Sequence, residues 1–260
     1  MFTIITVCLN AGDGLHKTIE SVLMQDFSDF KIIVKDGMST DQSFETIPTD
    51  ERIIKIQEKD AGIYDAMNQA LSYTDGQYIL FLNAGDVFFD RNVLKNYYDT
   101  IINNEYPDLV YCDYTTTRLM EYVQSPPKLS KFFLFRTMLC HQVCMIKRKC
   151  YEKMGRFDTE FMVDADYDFL LRLLLGMGAT HKHTKMLGVV SASDGFSSQH
   201  QKKAQKEVKI IRKKHFGKSY LFYRILLIMT LQPLRIKIAN GTGLSGRLYQ
   251  RFVNLLNRLF

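Results

Sequence analysis

Short apolar runs and amphipathic stretches alternate through the first half of the chain. Thr3–Cys8 is an apolar, β-branched run that predicts a strand, and Leu15–Met24 carries apolar residues at 15, 19, 22 and 23, the spacing of one helical face. Lys31–Val34 predicts a second strand that ends at Lys35-Asp36-Gly37, and Arg52–Gln57 a third. Ile63–Tyr73 sets Ile63, Met67, Ala70 and Leu71 along one helical face. Tyr78–Leu82 predicts a fourth strand and Leu109–Tyr111 a fifth.

Strand–helix–strand alternation at this spacing predicts right-handed βαβ units and an α/β fold with a mostly parallel sheet flanked by helices. Ligands of such sheets bind beyond the C-terminal ends of the strands. The residues that follow each strand therefore matter most: Leu9-Asn10, Asp36, Glu58-Lys59-Asp60 and Asn83–Asp86. Three of these four endings are acidic.

From about residue 112 the pattern changes. Pro126-Pro127 and an aromatic cluster (Phe132, Phe133, Phe135) precede His141-Gln142, and Asp166–Leu175 predicts a helix closed by Gly176 and Gly178. From Gln199 the chain is basic and amphipathic, interrupted by Pro233 and by Gly241–Gly246. This divides the chain into a body over 1–200, with halves of about 1–112 and 113–200, and an extension over 201–260.

Charge sharpens that division. Residues 201–260 hold 14 Lys and Arg and a single acid, Glu207, for a net +13, whereas residues 1–200 hold 20 basic and 27 acidic residues, a net −7. An acidic body with a basic extension predicts that the extension meets something anionic. The hydrophobic fraction of 46% and charged fraction of 24% suit a globular core. The five cysteines form no CxxC pair, and Cys140/Cys144 lacks a second pair at zinc spacing, so they read as reduced, core-filling thiols. MFTIITVCLN lacks a basic leader and an A-x-A site, and reads as a strand rather than a signal peptide. No uncharged apolar stretch reaches the roughly 18 residues that span a bilayer. The longest, Tyr220–Leu231, carries Arg224.

Candidate chemistry gathers at the strand ends. Asn83-Ala84-Gly85-Asp86 follows a buried-type strand, and a hard divalent cation that bridges phosphates takes one or two carboxylates with the rest from water and phosphate. Asp86 fits such a ligand, with Asn83 contacting or relaying to it; an Asp that caps the following segment is the alternative. Asp36 can accept from a base edge or ribose, Gly37 allows a tight turn, and Ser39 or Asp41 can cap a helix. Asp60 serves as N-cap, ligand contact or both. Asp65 and Asn68 share a helical face that either lines a site or meets solvent. Asp164, Asp166 and Asp168 open the predicted helix where its dipole favours acids. One of them could instead serve as a general base; Arg172, four residues after Asp168, pairs with it, which leaves Asp166 the freer carboxylate. His141, which titrates near neutrality, has a structural or a catalytic role.

Taken in order, these segments resemble glycosyltransferase family 2 enzymes of the GT-A fold, in particular the bacterial polysaccharide-building branch related to colanic-acid-type transferases. The matching segments are Thr6-Val7-Cys8-Leu9-Asn10, Asp36–Asp41, Glu58–Asn68, Phe81–Asp86, His141-Gln142 and Ala165–Arg172. The resemblance implies an inverting transfer from a nucleotide-sugar, commonly a UDP-sugar, with Mn²⁺ or Mg²⁺. It implies donor nucleotide contacts at Thr6, Leu9, Asn10, Asp36, Asp60 and Asn83. It implies a metal ligand at Asp86, a catalytic base at Asp166, and acceptor or diphosphate contacts at Asp65, Asn68, His141 and Gln142. Two departures stand out: the first acid of the family's DxD motif is Asn83 with one extra residue of spacing, and the usual Glu-Asp pair reads Ala165-Asp166. The acceptor of this branch is often a lipid-linked glycan, which suits an extension that docks on an anionic membrane surface at the cytoplasmic face.

Two other classes compete. A nucleotidyltransferase would use a similar α/β site, but no Gly-rich phosphate loop or Lys-bearing signature lies near the first strand. A nucleic-acid-binding module would use the basic extension but leaves the acidic strand ends unexplained, so no nucleic-acid partner is expected.

Overall fold

The computed structural model describes residues 1–117, 122–192, 199–230 and 255–257. In chain order these form β1 (Phe2–Cys8), α1 (Asp13–Leu23), β2 (Phe30–Asp36), β3 (Ile53–Gln57), α2 (Ile63–Leu71), β4 (Tyr78–Phe81), β5 (Val87–Phe88) and α3 (Val93–Ile102). There follow β6 (Leu109–Thr116), β7 (Tyr122–Val123), α4 (Lys131–Arg136), β8 (Cys144–Lys147), α5 (Arg148–Met154), α6 (Ala165–Leu171), β9 (His181–Ser191), α7 (Gln201–Phe216) and α8 (Tyr220–Met229).

One sheet carries the molecule, in the order β3-β2-β1-β4-β8-β6-β9-β5, with β7 beside β6. Strands β3, β2, β1 and β4 are mutually parallel, with Ile4 opposite Ile32 and Leu80. Both faces of β1 and β4 are covered, so every residue of each is buried; runs of this kind stay apolar because no face meets water. Beyond β4, β8 enters antiparallel between β4 and β6, while β6 and β9 run parallel to each other.

The parallel half matches the elements predicted from periodicity. Helix α1 buries Leu15, Ile19 and Val22, and α2 buries Tyr64, Ala66, Met67 and Ala70. Other elements add to the prediction. Helix α3 has the required apolar spacing at Val93, Leu94, Tyr97 and Ile101, and β6 runs on to Thr116 because Cys112 and Asp113 are also buried. The helix expected over Asp166–Leu175 is regular only to Leu171; Arg172–Gly176 widens into a π-type turn. All five cysteines are free thiols, and burial pushes Cys112 and Cys150 up to about 12.

The first thirty residues of the extension lie against the second half of the body. Ile211 and Phe216 of α7 and Tyr223 and Leu226 of α8 are buried. Phe135 meets Phe216 edge-on at 5.0 Å and stacks on Tyr223 at 5.6 Å. The opposite face of α8 leaves Leu221 62% and Ile228 61% exposed. No described helix is long and apolar enough to cross a membrane.

Candidate active site

The parallel strands deliver their C-terminal residues to one edge. Leu9, exposed, and Asn10, with φ 50°, follow β1. The Asn10 side chain accepts from the Thr40 amide at 2.8 Å, and the Asn10 backbone N–H donates to Ser39 Oγ at 2.7 Å. Asp41 accepts from the Gly12 amide and from both the amide and hydroxyl of Ser43, so it ties a turn to the β1 loop instead of capping a helix. The loops after β1 and β2 are thus clasped together.

Asp36 ends β2 fully buried. Its carboxylate accepts from the Ser39 amide at 2.8 Å, Gln57 Nε2 at 3.0 Å, Cys8 Sγ at 3.4 Å and the Ser39 hydroxyl. Burial pushes its pKa up, but these donors outweigh burial and hold it below the usual carboxylate value. Lys35, also fully buried, donates to the Glu58 carbonyl at 2.6 Å and pairs with Asp60. Asp60 also accepts from the Gly62 amide. Gly37 is required here because a Cβ would lie 2.7 Å from Asp60 Oδ2.

The turn after β4 is set by α1. Thr18 Oγ1 accepts from the Gly85 amide at 2.9 Å and lies 2.7 Å from the Asp86 carbonyl. Gly85 has φ +100°, a conformation open to glycine and strained for other residues. This turn aims Asp86 inward at 3% exposure. Its Oδ1 accepts from the Ala192 amide at 2.8 Å and its Oδ2 from Gln142 Nε2 at 3.1 Å. Burial raises its pKa against the pull of the Ala192 amide, His141 and Gln142.

His141 joins this turn to α6. Asn83 Nδ2 lies 3.1 Å from His141 Nε2, and His141 Nδ1 lies 2.9 Å from Asp166 Oδ2. Asp166 Oδ1 accepts from the Tyr64 hydroxyl at 2.8 Å and the Tyr167 amide at 2.9 Å. Burial pulls the His141 pKa down, but the Asp166 hydrogen bond and the charges of Asp166 and Asp86 outweigh it and raise it. Behind the pair lie Phe81, Leu139, Tyr151 and Phe169, apolar walls that strengthen the electrostatics in front of them. Asp168 is paired with Arg172 at 2.8 Å, as its spacing predicts.

Asn83, Asp86, His141, Gln142 and Asp166, far apart in sequence, therefore form one connected cluster. Of the other expected site residues, Leu9, Asn10, Asp36 and Asp60 belong to the ends of β1, β2 and β3 and the loops after them, described above, and Thr6, Asn68 and Asp65 have partners of their own. Thr6 is fully buried and spends its hydroxyl on the Leu82 carbonyl at 2.8 Å, so it ties β1 to the end of β4. Asn68 is clamped to the Phe157 backbone by both ends of its amide, at 2.9 Å each. Asp65 Oδ2 accepts from the Ala61 amide and from Gln69, a helix-start role. The side-chain bonds of Asp65 and Asn68 thus go to Ala61, Gln69 and Phe157, while their neighbour Tyr64 reaches the cluster at Asp166. Its hydroxyl within an otherwise apolar helix face was the signal. Asp164, expected only as one of the acids at the start of a helix, is 7% exposed, with Oδ2 buried and unpartnered, its pKa raised to about 7 by burial and then by Asp166 and Glu207.

Among the described residues, no three acids, histidines or cysteines gather as a metal-ligand group. Asp86 supplies one carboxylate, and Asn83 Oδ1 is buried with no partner. An orphaned amide oxygen beside one carboxylate fits a hard cation whose remaining ligands are phosphate and water.

Comparison with known proteins shows the family and the fold. The PGL/p-HBAD biosynthesis glycosyltransferase of Mycobacterium bovis (strain BCG / Pasteur 1173P2) is 30% identical over 177 residues, 66% of this chain and 69% of that protein. The structure of Staphylococcus aureus TarS 1-349 in complex with UDP superposes with a TM-score of 0.67 at 15% identity, over 95% of this chain and 76% of that one. The mannosyltransferase PcManGT of Pyrobaculum calidifontis, in complex with GDP-Man and Mn²⁺, superposes with a TM-score of 0.60 at 18% identity, over 98% and 79% of the two chains. These superpositions show the GT-A fold. The model of glycosyl transferase family 2 matches residues 3–155, more than half of the sequence, and the chain belongs to that family.

Proposed function

We propose that the chain is an inverting, metal-dependent glycosyltransferase that moves a sugar from a nucleotide-sugar, a UDP-sugar foremost, to a hydroxyl of a glycan acceptor. The observation that carries this reading is the connection Asp86–Gln142 and Asn83–His141–Asp166 at the C-terminal edge of the parallel strands. It sets a cation-compatible corner beside a carboxylate held by a histidine.

In this reading Leu9, Asn10, Asp36 and Asp60 shape the nucleotide side, with Asp36 and Asp60 acting through the clasped loops that they order. Asp86 and Asn83 would hold Mn²⁺ or Mg²⁺, which supplies positive charge to the departing diphosphate. His141 and Tyr64 hold Asp166 in register. Asp166 takes the proton of the acceptor hydroxyl, whose oxygen attacks the anomeric carbon from the face opposite the nucleotide, so one displacement inverts that centre. That TarS was solved with UDP and UDP-GlcNAc, and PcManGT with GDP-Man and Mn²⁺, supports a nucleotide-sugar donor. A thermal-shift panel of UDP-, GDP- and dTDP-sugars, each with and without Mn²⁺, tests donor and metal together. The reading expects metal-enhanced stabilisation by UDP-sugars, and no stabilisation by any member of the panel overturns it.

The acceptor side favours a lipid-linked glycan in bacterial surface polysaccharide synthesis. Lys202, Lys203, Lys206 and Lys209 are exposed on α7, and Leu221, Ile225 and Ile228 are exposed on α8, which follows it in the chain; a basic helix followed by an exposed apolar face suits an anionic membrane surface. Because these helices pack on the body, substitution in the full chain is the cleaner test than deletion. Ser at Leu221, Ile225 and Ile228 should abolish flotation with anionic vesicles while the melting temperature holds. Unchanged flotation removes the membrane role.

A further inference from the structure

Glu207 is the single acid of the 60-residue extension, and it is buried at 5% exposure. Three backbone amides converge on its carboxylate: Met162 N on Oε1 at 3.0 Å, Val163 N and Asp164 N on Oε2 at 2.8 and 3.1 Å. Charge-assisted bonds of this kind are about twice as strong as neutral ones. The amides belong to the segment that leads into α6 and ends two residues before Asp166.

The same segment is gripped from other sides. The Tyr64 hydroxyl lies 2.6 Å from the Val163 carbonyl and 2.8 Å from Asp166 Oδ1. Further along α7, Lys214 and His215 reach Asp168 at 3.0 and 2.8 Å, and Arg212 donates to the Arg136 carbonyl. Burial penalises the Asp168 carboxylate, but His215, Lys214 and Arg172 together hold its pKa well below the usual range. Helix α7 thus fixes the backbone before Asp166 and the carboxylate two residues after it.

We infer that Glu207 is a positioning residue for the carboxylate of Asp166, which makes the first helix of the basic extension a working part of the site. The inference rests on the reading of Asp166 as the base. A carboxylate is needed because an amide in its place presents an NH₂ to one of the three converging N–H groups. Loss of the nest frees residues 162–164 and lets Asp166 wander from its aim, and small misplacements of a catalytic group are costly.

Turnover is measured on the full chain as UDP release from the UDP-sugar that stabilises it most, with water as acceptor, beside donor affinity and amide exchange at 162–164. Glu207→Gln should lower kcat about tenfold or more, leave donor affinity within about twofold and speed exchange at those amides. Gln205→Ala, exposed on the same helix, should change none of these. Glu207→Ala should exceed the Gln variant, which serves alone where the Ala variant does not fold. Wild-type kcat or wild-type exchange in a folded Glu207→Gln protein overturns the inference. Asp166→Asn separates the two ideas. If it keeps turnover, the base assignment fails by itself, whereas an inactive Asp166→Asn beside a fully active Glu207→Gln sinks only the positioning role.

Discussion

The carboxylate of Asp36 accepts from four donors after β2 and sits below its usual pKa, whereas Asp86, buried after β4, sits above it. The contrast extends to their surroundings. Around Asp36 and Asp60 the buried carboxylates have their donors, Asn10 bonds Ser39 and Thr40, and Asp41 accepts from Gly12 and Ser43. Around Asp86 the accounts are open: Asn83 Oδ1 and Asp164 Oδ2 are buried without partners, and Asp86, His141 and Asp164 are all shifted upward. Unsatisfied buried groups and perturbed acids mark places where a fold has given up stability for chemistry. The β2 side reads as a preformed cradle and the β4 side as the reacting corner.

The largest effect should come from the reacting corner. Asp166→Asn keeps size and most hydrogen bonds but removes the proton acceptor. A positioned general base contributes about 10²–10⁴-fold, so turnover should fall by about that factor while donor affinity stays near wild type. Donor titration beside single-turnover kinetics checks it. Full turnover moves the base elsewhere in the cluster.

Breaking the cradle should act on stability first. Lys35→Met replaces a fully buried ammonium with an apolar chain of similar length and leaves Asp60 and the Glu58 carbonyl without their donor. Removing one partner of a buried pair costs about 3–5 kcal/mol. The variant should lose about that much in urea unfolding, and donor affinity should fall with it. A loss under about 1 kcal/mol would mean that water replaces the ammonium easily, and the cradle is less closed than its geometry implies.

The two regions were unequally legible in the sequence. The cradle and its strands could be read because parallel strands buried on both faces leave continuous apolar runs, with ligand-facing residues just beyond them. Asp36, Asp60, Asn83 and Asp86 stand at those ends. The connections could not be read. Neither the Asn83–His141–Asp166 chain nor the Glu207 nest has a sequence period, since each link joins residues 25 or more positions apart. Thr6 and Asn68 were ambiguous for a related reason: a polar residue inside an apolar element signals a satisfied tie as often as a ligand contact, and only their partners at Leu82 and Phe157 bring out the tie. The second half was harder because β8 enters antiparallel and β9, HKHTKMLGVVS, opens on five consecutive polar residues, so its apolar run covers only its second half.

Asp164 offers the smallest and sharpest test of the contrast. Its carboxyl is buried beside Asp166 and Glu207, and its pKa is raised to about 7 from an ordinary 3.8. An acid whose folded pKa lies above its unfolded value imposes no cost below the unfolded pKa. As pH rises from about 4 to about 7 the unfolded chain ionises first, and the folded state is progressively disfavoured. Above that window the native protein carries a penalised charge. Asp164→Asn should therefore raise stability at pH 8, by on the order of 1–3 kcal/mol, and change little at pH 4. Melting temperatures of the two proteins across this range should converge toward acid and separate toward neutrality. A variant less stable than wild type at pH 8 would mean that the Asp164 charge is balanced in the fold by Arg212, whose charge pulls the other way, and the acidic corner would then be less open than the cradle comparison holds.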